Sequence, residues 1–199
     1  RHRQDLVEGD DPNFRPVDME FAPDGSLYLV DWHNVLIGHV QHNARDPLRD
    51  HVHGRIYRIT YPSRPLVEEP EIAGASIEVL LDNLKLPEYR ARYRTRRELR
   101  GRGASAVLPE LEQWVASLDE GNPQYEHYML EALWVKWGLN EVDGSLLRLM
   151  LEAEDYRVRA AAVRVLRYSG HRIENQTELL VDAAADEHGR VRLEAIVAA

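Results

Sequence analysis

The chain has 199 residues, 44% of them hydrophobic and 30% charged, a balance that excludes disordered, collagen-like and membrane-embedded classes. A formal charge of −9 and a pI near 5.5 argue against general nucleic-acid binding, because neutralising phosphates needs a net basic surface. Without cysteine there are no disulfides, thiolate catalysis, Cys-ligated zinc or covalent c-type haem in this segment, and no run approaches the roughly 20 apolar residues of a membrane span. The length suits one large domain or two small ones, and the pattern changes character once, near residue 65, which favours two. The chain begins at Arg1 rather than Met and ends in mid-helix at Ala199, so it reads as a fragment. The lack of a signal peptide then says nothing about the parent protein.

Residues 1–60 read as strand and loop. Val17, Met19 and Phe21 alternate, Ala22-Pro23-Asp24-Gly25 forms a turn, and Leu27 and Leu29 resume the alternation with Tyr28 and Val30 on the opposite face. Pro23 presets φ, Asp24 tolerates the next position, and Gly25 can take φ > 0, which predicts a tight hairpin. A third strand, Gly54 to Thr60, follows a loop of about 22 residues, long enough to be a functional-loop candidate. Three strands leave edges unpaired and a face uncovered, so further strands are expected from upstream sequence.

Residues 61–75, with Pro62, Pro65 and Pro70, predict an extended linker, because proline denies it a ladder or a helix. From residue 76 to 199 the period is helical. Val158, Ala161, Ala162, Val165 and Leu166 fall on one stripe, with Arg157, Arg164 and Arg167 off it. The unit Asp155-Tyr156-Arg157-Val158-Arg159-Ala160-Ala161 is echoed from Glu187 to Ala195, with Arg159 and Arg192 separated by 33 residues. Shorter helices from Leu146 to Leu151 and from Leu179 to Ala185 precede the two copies. Degenerate copies lie upstream, one with Val107, Leu108, Leu111, Val115 and Leu118, the other with Tyr125, Tyr128, Met129, Ala132 and Leu133. Helix pairs repeating at this interval bury their faces by stacking, which predicts an α-helical solenoid, and Asp-x-x-Val-Arg-x-x-Ala resembles HEAT repeats.

Five of the nine histidines, His33, His39, His42, His51 and His53, sit within 21 residues in and beside the long loop. His51-x-His53 places both rings on one side of an extended chain, and Asp31, Asp46 and Asp50 can add oxygens. This makes His33, His39, His51, His53 and Asp31 candidates for a metal or proton-transfer site. The bland alternative is that these rings cap strands and bond loop carbonyls. Trp32 reads first as a packing residue. The seven arginines from Arg90 to Arg102 surround a helix carrying Glu88, Tyr89, Tyr93 and Glu98. They read first as a solvated surface and second as a docking site for an acidic redox partner. The sequon Asn175-Gln176-Thr177 is too common to carry weight.

The runs Phe14-Arg15-Pro16-Val17-Asp18, Ala22 to Trp32, Ile37-Gly38-His39, Arg45-Asp46-Pro47 and Arg49 to Ile59 resemble the end of the β-propeller in the large membrane-bound dehydrogenases of planctomycetes and their relatives. The likeness spans residues 12–65. It implies a last propeller hairpin or blade, like that of soluble sugar dehydrogenases using pyrroloquinoline quinone with calcium, followed by HEAT repeats and, commonly, a cytochrome c-like domain. In such propellers an arginine before the Pro-Asp-Gly hairpin contacts the quinone's carboxylates, and Arg15 occupies that place. From the residues alone, Arg15 can equally pair with Asp18 or Asp31. The resemblance also implies an exported protein, periplasmic or at the cell surface. The family's catalytic base lies in an earlier blade, so the fragment alone is expected to be inactive.

Two function classes follow. In one, the parent is a quinone-dependent sugar or alcohol dehydrogenase, and this segment supplies a cavity wall plus a helical spacer or docking surface. In the other, propeller and HEAT region are non-catalytic scaffolds that bind glycan or protein.

Overall fold

A computed structural model of the chain describes residues 5–35 and 45–199. The chain divides into two compact units, Arg1–Glu69 and Pro70–Ala199.

The first unit holds an antiparallel sheet, ordered β1 (Pro16–Phe21), β2 (Leu27–Asp31) and β3 (Arg55–Ile59). The hairpin closes where the turn residues require it. The Gly25 N–H donates to the Ala22 carbonyl over 3.0 Å, the Ala22 N–H donates to the Ser26 carbonyl over 2.8 Å, and Gly25 takes φ 81°, open to glycine at no steric cost. Asp24 pins this turn to β3, since its carboxylate accepts from the Ser26 N–H (2.9 Å), the Ser26 hydroxyl (2.6 Å) and the Arg58 guanidinium.

The register places Met19 opposite Leu29 and Leu29 opposite Tyr57, so these share a face, as do Phe21, Leu27 and Ile59. On that face Leu27 and Leu29 are buried, while Met19 is 64% and Phe21 60% exposed. On the other face the paired Val30 and Ile56 are exposed too. The sheet thus buries one face of its central strand and leaves apolar side chains of both outer strands, and Val30 on the other face, uncovered, more than a finished sheet ordinarily leaves in water.

The second unit contains eight α-helices: α1 (Ile77–Asn83), α2 (Tyr89–Arg102), α3 (Ala104–Ala116), α4 (Tyr125–Gly138), α5 (Gly144–Leu151), α6 (Tyr156–Ser169), α7 (Gln176–Ala184) and α8 (Gly189–Ala198). Side-chain caps start several of them: Ser76 accepts from the Val79 N–H, Asp143 from Leu146 and Asp155 from Arg157. Each helix from α2 to α7 packs on its two chain neighbours, and α2, α4, α6 and α8 also touch in succession. Leu80, Leu99, Leu111, Leu147 and Leu166 form the centre of the core. Helix α6 is buried more widely than its predicted stripe. Val158, Ala162, Val165 and Leu166 face the main core, Ala161 is only partly covered, and Ala160 and Val163 join a second cluster with Ala183, Val191 and Ala195. The reason is its position between α4 and α8.

One arginine device recurs. Arg92, Arg159 and Arg192 are each the fourth residue of their helix, and each Nη1 donates to the carbonyls six and five residues before it. The acceptors are Leu86 and Pro87, Ala153 and Glu154, and Asp186 and Glu187, at 2.6–2.9 Å. The planar guanidinium closes the turn that enters α2, α6 and α8. The fourth residue of α4 is Tyr128; at the neighbouring Glu126 the carboxylate accepts from the Glu154 and Asp155 N–H groups instead. No helix among the described residues is long and apolar enough to cross a membrane.

Candidate functional site

The C-terminal end of β2 gathers most of the predicted site residues. Asp31 is the last residue of β2, and its Oδ1 accepts from the N–H groups of Arg15 (2.8 Å) and His33 (2.8 Å). The second of these bonds closes an aspartate turn that holds His33 at φ 53°, a left-handed conformation sparse for residues other than glycine. The His33 side chain is thereby directed into the unit, where the residue is 5% exposed.

Three carboxylates surround that imidazole. Nδ1 lies 4.0 Å from Asp11 Oδ2 and 4.0 Å from Asp31 Oδ2, and Nε2 lies 3.8 Å from Asp50 Oδ2. Asp11 is held by Arg55 (2.6 Å) and by the Asn13 N–H, and these bonds, the backbone one first, lower its pKa. Asp50 accepts from the N–H groups of Val52 and His53 and from the His53 ring at 2.8 Å. Those bonds, led by Val52, hold its carboxyl down at about 2.

All three contacts to the His33 ring exceed a hydrogen bond. Among the described residues, the buried Arg15 Nε, Asp31 Oδ2 and His33 Nδ1 at this strand end have no hydrogen-bond partner. Buried polar atoms are ordinarily paired, so orphans in one place mark a position that another group can complete. A single oxygen about 2.8 Å from both Asp31 Oδ2 and His33 Nδ1 would see them at roughly 90°, a workable angle for accepting one hydrogen bond and donating another.

The remaining candidates divide. His53 joins the cluster through Asp50, with its own ring largely exposed. His51 is exposed and Asp46 caps the Leu48 N–H. His39 and His42 lie outside the described residues. Among those described, no group of three or more His, Asp or Glu side chains is arranged to hold a metal ion. Arg15 meets neither carboxylate through its guanidinium, which donates instead to the carbonyls of Phe14 (2.7 Å) and Val35 (3.2 Å). Trp32 is exposed, with the Arg49 guanidinium 5.4 Å from its ring centre. Asp11 and Arg55 were not singled out by pattern. They are 44 positions apart, and the only signal was the turn-forming Asp10-Asp11-Pro12-Asn13.

A further polar centre lies in the helical unit. Glu131 of α4 is fully buried, bonded to Arg92 Nε at 2.9 Å and to Arg96, with His127 Nε2 3.5 Å away. Burial lowers the pKa of His127, against the pull of the Glu131 charge. Two of the seven arginines expected to be solvated therefore serve as partly covered counter-ions of a buried carboxylate.

A family described as a domain of unknown function, DUF7133, matches residues 1–63, which contain β1 to β3 and the whole His33 cluster. No curated protein and no solved structure matches the chain.

Proposed function

We propose that the strand unit is the closing part of a β-propeller, that the helices form a HEAT-like solenoid, and that the parent protein is an exported quinone-dependent sugar or alcohol dehydrogenase. The observation that carries this reading is the set of orphaned buried atoms, Arg15 Nε, Asp31 Oδ2 and His33 Nδ1, at one strand end. The uncovered Met19, Phe21 and Ile56 support neighbouring blades, since a blade's faces are covered by the next blade. The arginine device at Arg159 and Arg192, 33 residues apart, supports the repeat.

Arg15 fits pyrroloquinoline quinone in a limited way: Nε is a buried donor for one carboxylate oxygen, whereas Nη1 and Nη2 are already engaged. When bound, the quinone accepts the hydride removed from the alcohol carbon. Asp31 and His33 orient a hydroxyl, the carboxylate accepting a hydrogen bond from it and the Nδ1–H donating one to its oxygen. Calcium on this reading is held by residues elsewhere in the parent, and electrons leave toward a cytochrome c-like domain.

The test is to reconstitute the whole protein with pyrroloquinoline quinone and calcium and follow an artificial electron acceptor with sugars and primary alcohols. Substrate-dependent reduction is expected, with Asp31→Asn lowering kcat/KM about tenfold or more at unchanged circular dichroism. A quinone-loaded protein that reduces the acceptor with none of these substrates would overturn the reading.

A further inference from the structure

A second site stands wholly on the helical unit. A cavity of about 350 Å³ opens on the row of helices α2, α4 and α6, lined by Tyr93, Arg97 and Arg100 of α2, Trp134 and Trp137 of α4, and Arg164 of α6 among others. Among the described residues no aspartate or glutamate lines it. In a chain of charge −9, a cationic hollow without acid is a departure that needs a physical account.

The arginines around this hollow differ in how they are neutralised. Arg96 is committed to buried Glu131 and Arg164 to Glu194. Among the described residues no carboxylate pairs with Arg97 or Arg100. Arg97 lies over the Tyr93 ring at 6.0 Å, a contact that leaves its N–H donors open to solvent. The aromatic side is also organised. Tyr89 and Tyr93 stack at 6.3 Å, Trp137 stacks on Tyr168 at 5.6 Å, and Arg96 lies 5.0 Å from the centre of Trp134. Rigid aromatic platforms beside unpaired guanidinium forks are the composition of a recognition surface, since both give contact at low entropy cost.

We propose that this hollow binds an extended acidic peptide segment of a partner protein, its carboxylates on Arg97 and Arg100 and an aromatic or proline side chain against Tyr93 and Trp134. Two interhelical spacings of 8–10 Å span roughly 20 Å, the length of about six extended residues. Charge complementarity favours an acidic occupant. A nucleic-acid strand would offer bases to the same rings, but it needs a continuous basic track for its phosphates, and outside the hollow this chain is net acidic.

The experiment titrates the full chain into three fluorescein-labelled probes, followed by anisotropy: an octapeptide alternating Glu and Tyr, its counterpart alternating Gln and Tyr, and an eight-nucleotide oligo-dT. Saturable binding is expected for the Glu peptide only, weakened about tenfold or more by Arg97→Gln with Arg100→Gln. Both side chains are exposed, so the double variant should keep the parent's circular dichroism and thermal midpoint. As a readout independent of those variants, the Glu peptide should change Trp134 and Trp137 emission, and a Trp134→Phe variant should lose most of that change. Equal binding of the Gln peptide would remove the role of charge, tighter binding of oligo-dT would reassign the site to nucleic acid, and binding of none would overturn the proposal.

Discussion

The Arg92 Nε donates to Glu131 Oε1 over 2.9 Å, joining α2 to α4 around a carboxylate with no exposed surface. Arg96 takes the other oxygen, so one buried anion faces two partly covered cations. Removing its charge leaves both guanidiniums desolvated without a counter-ion, and breaking such a pair costs more than forming it gains. Glu131→Gln is expected to lower stability by about 3 kcal/mol in urea unfolding, the low end for buried pairs because the arginines keep some contact with water. A change below about 0.5 kcal/mol would contradict this assignment.

The Arg159 clamp on Ala153 and Glu154 should be a fork effect and not only a charge effect, since it also grips Asp186 at 2.8 Å. Arg159→Lys keeps the charge but cannot reach two carbonyls and a carboxylate in one plane. We expect a loss of about 1–2 kcal/mol and faster amide exchange in the turn between α5 and α6, with little effect in α1. Uniform exchange would count against the clamp.

Leu166 is fully buried between α6 and its neighbours, and Leu166→Ala should cost about 2–5 kcal/mol by the cavity it leaves. A thermal midpoint equal to the parent's would mean that the core collapses around the gap or that the face is misassigned.

The strand unit should respond to acid through Asp50, held at about 2 against roughly 3.9 for an unfolded aspartate. A carboxyl lowered on folding contributes stability that is complete above the unfolded value and is lost as pH falls through the folded one. The loop at residues 50–53 should therefore stay ordered above about pH 4 and loosen toward pH 2. In a carboxyl-carbon NMR titration, His53→Ala should raise the Asp50 midpoint toward the unfolded value without reaching it, because the Val52 N–H remains. An unmoved midpoint would show that the ring contributes nothing.

The hairpin and helices were legible because they rest on periodicity and turn chemistry: Val17, Met19 and Phe21 alternate, and Gly25 sits where φ must be positive. The buried stripe of α6 was legible for the same reason, though only its half toward α4, since the second apolar face consists of just Ala160 and Val163 set between arginines. Glu131 and Arg92 were not legible. A glutamate among hydrophobic residues reads as a solvent position, and an arginine in a run of seven reads as surface, so burial by pairing leaves no periodic trace. At the strand end, proximity in sequence suggested His33 and Asp31, but Asp11 reached the ring only through the folded loop.

The most direct measurement is quinone binding by the whole protein, followed by the absorption and fluorescence of pyrroloquinoline quinone during titration with the wild type and with Arg15→Gln. The account predicts saturable binding by the wild type and a Kd raised about tenfold in the variant, the equivalent of one lost charge-assisted hydrogen bond. No binding by the wild type, or an equal Kd for both proteins, would contradict it.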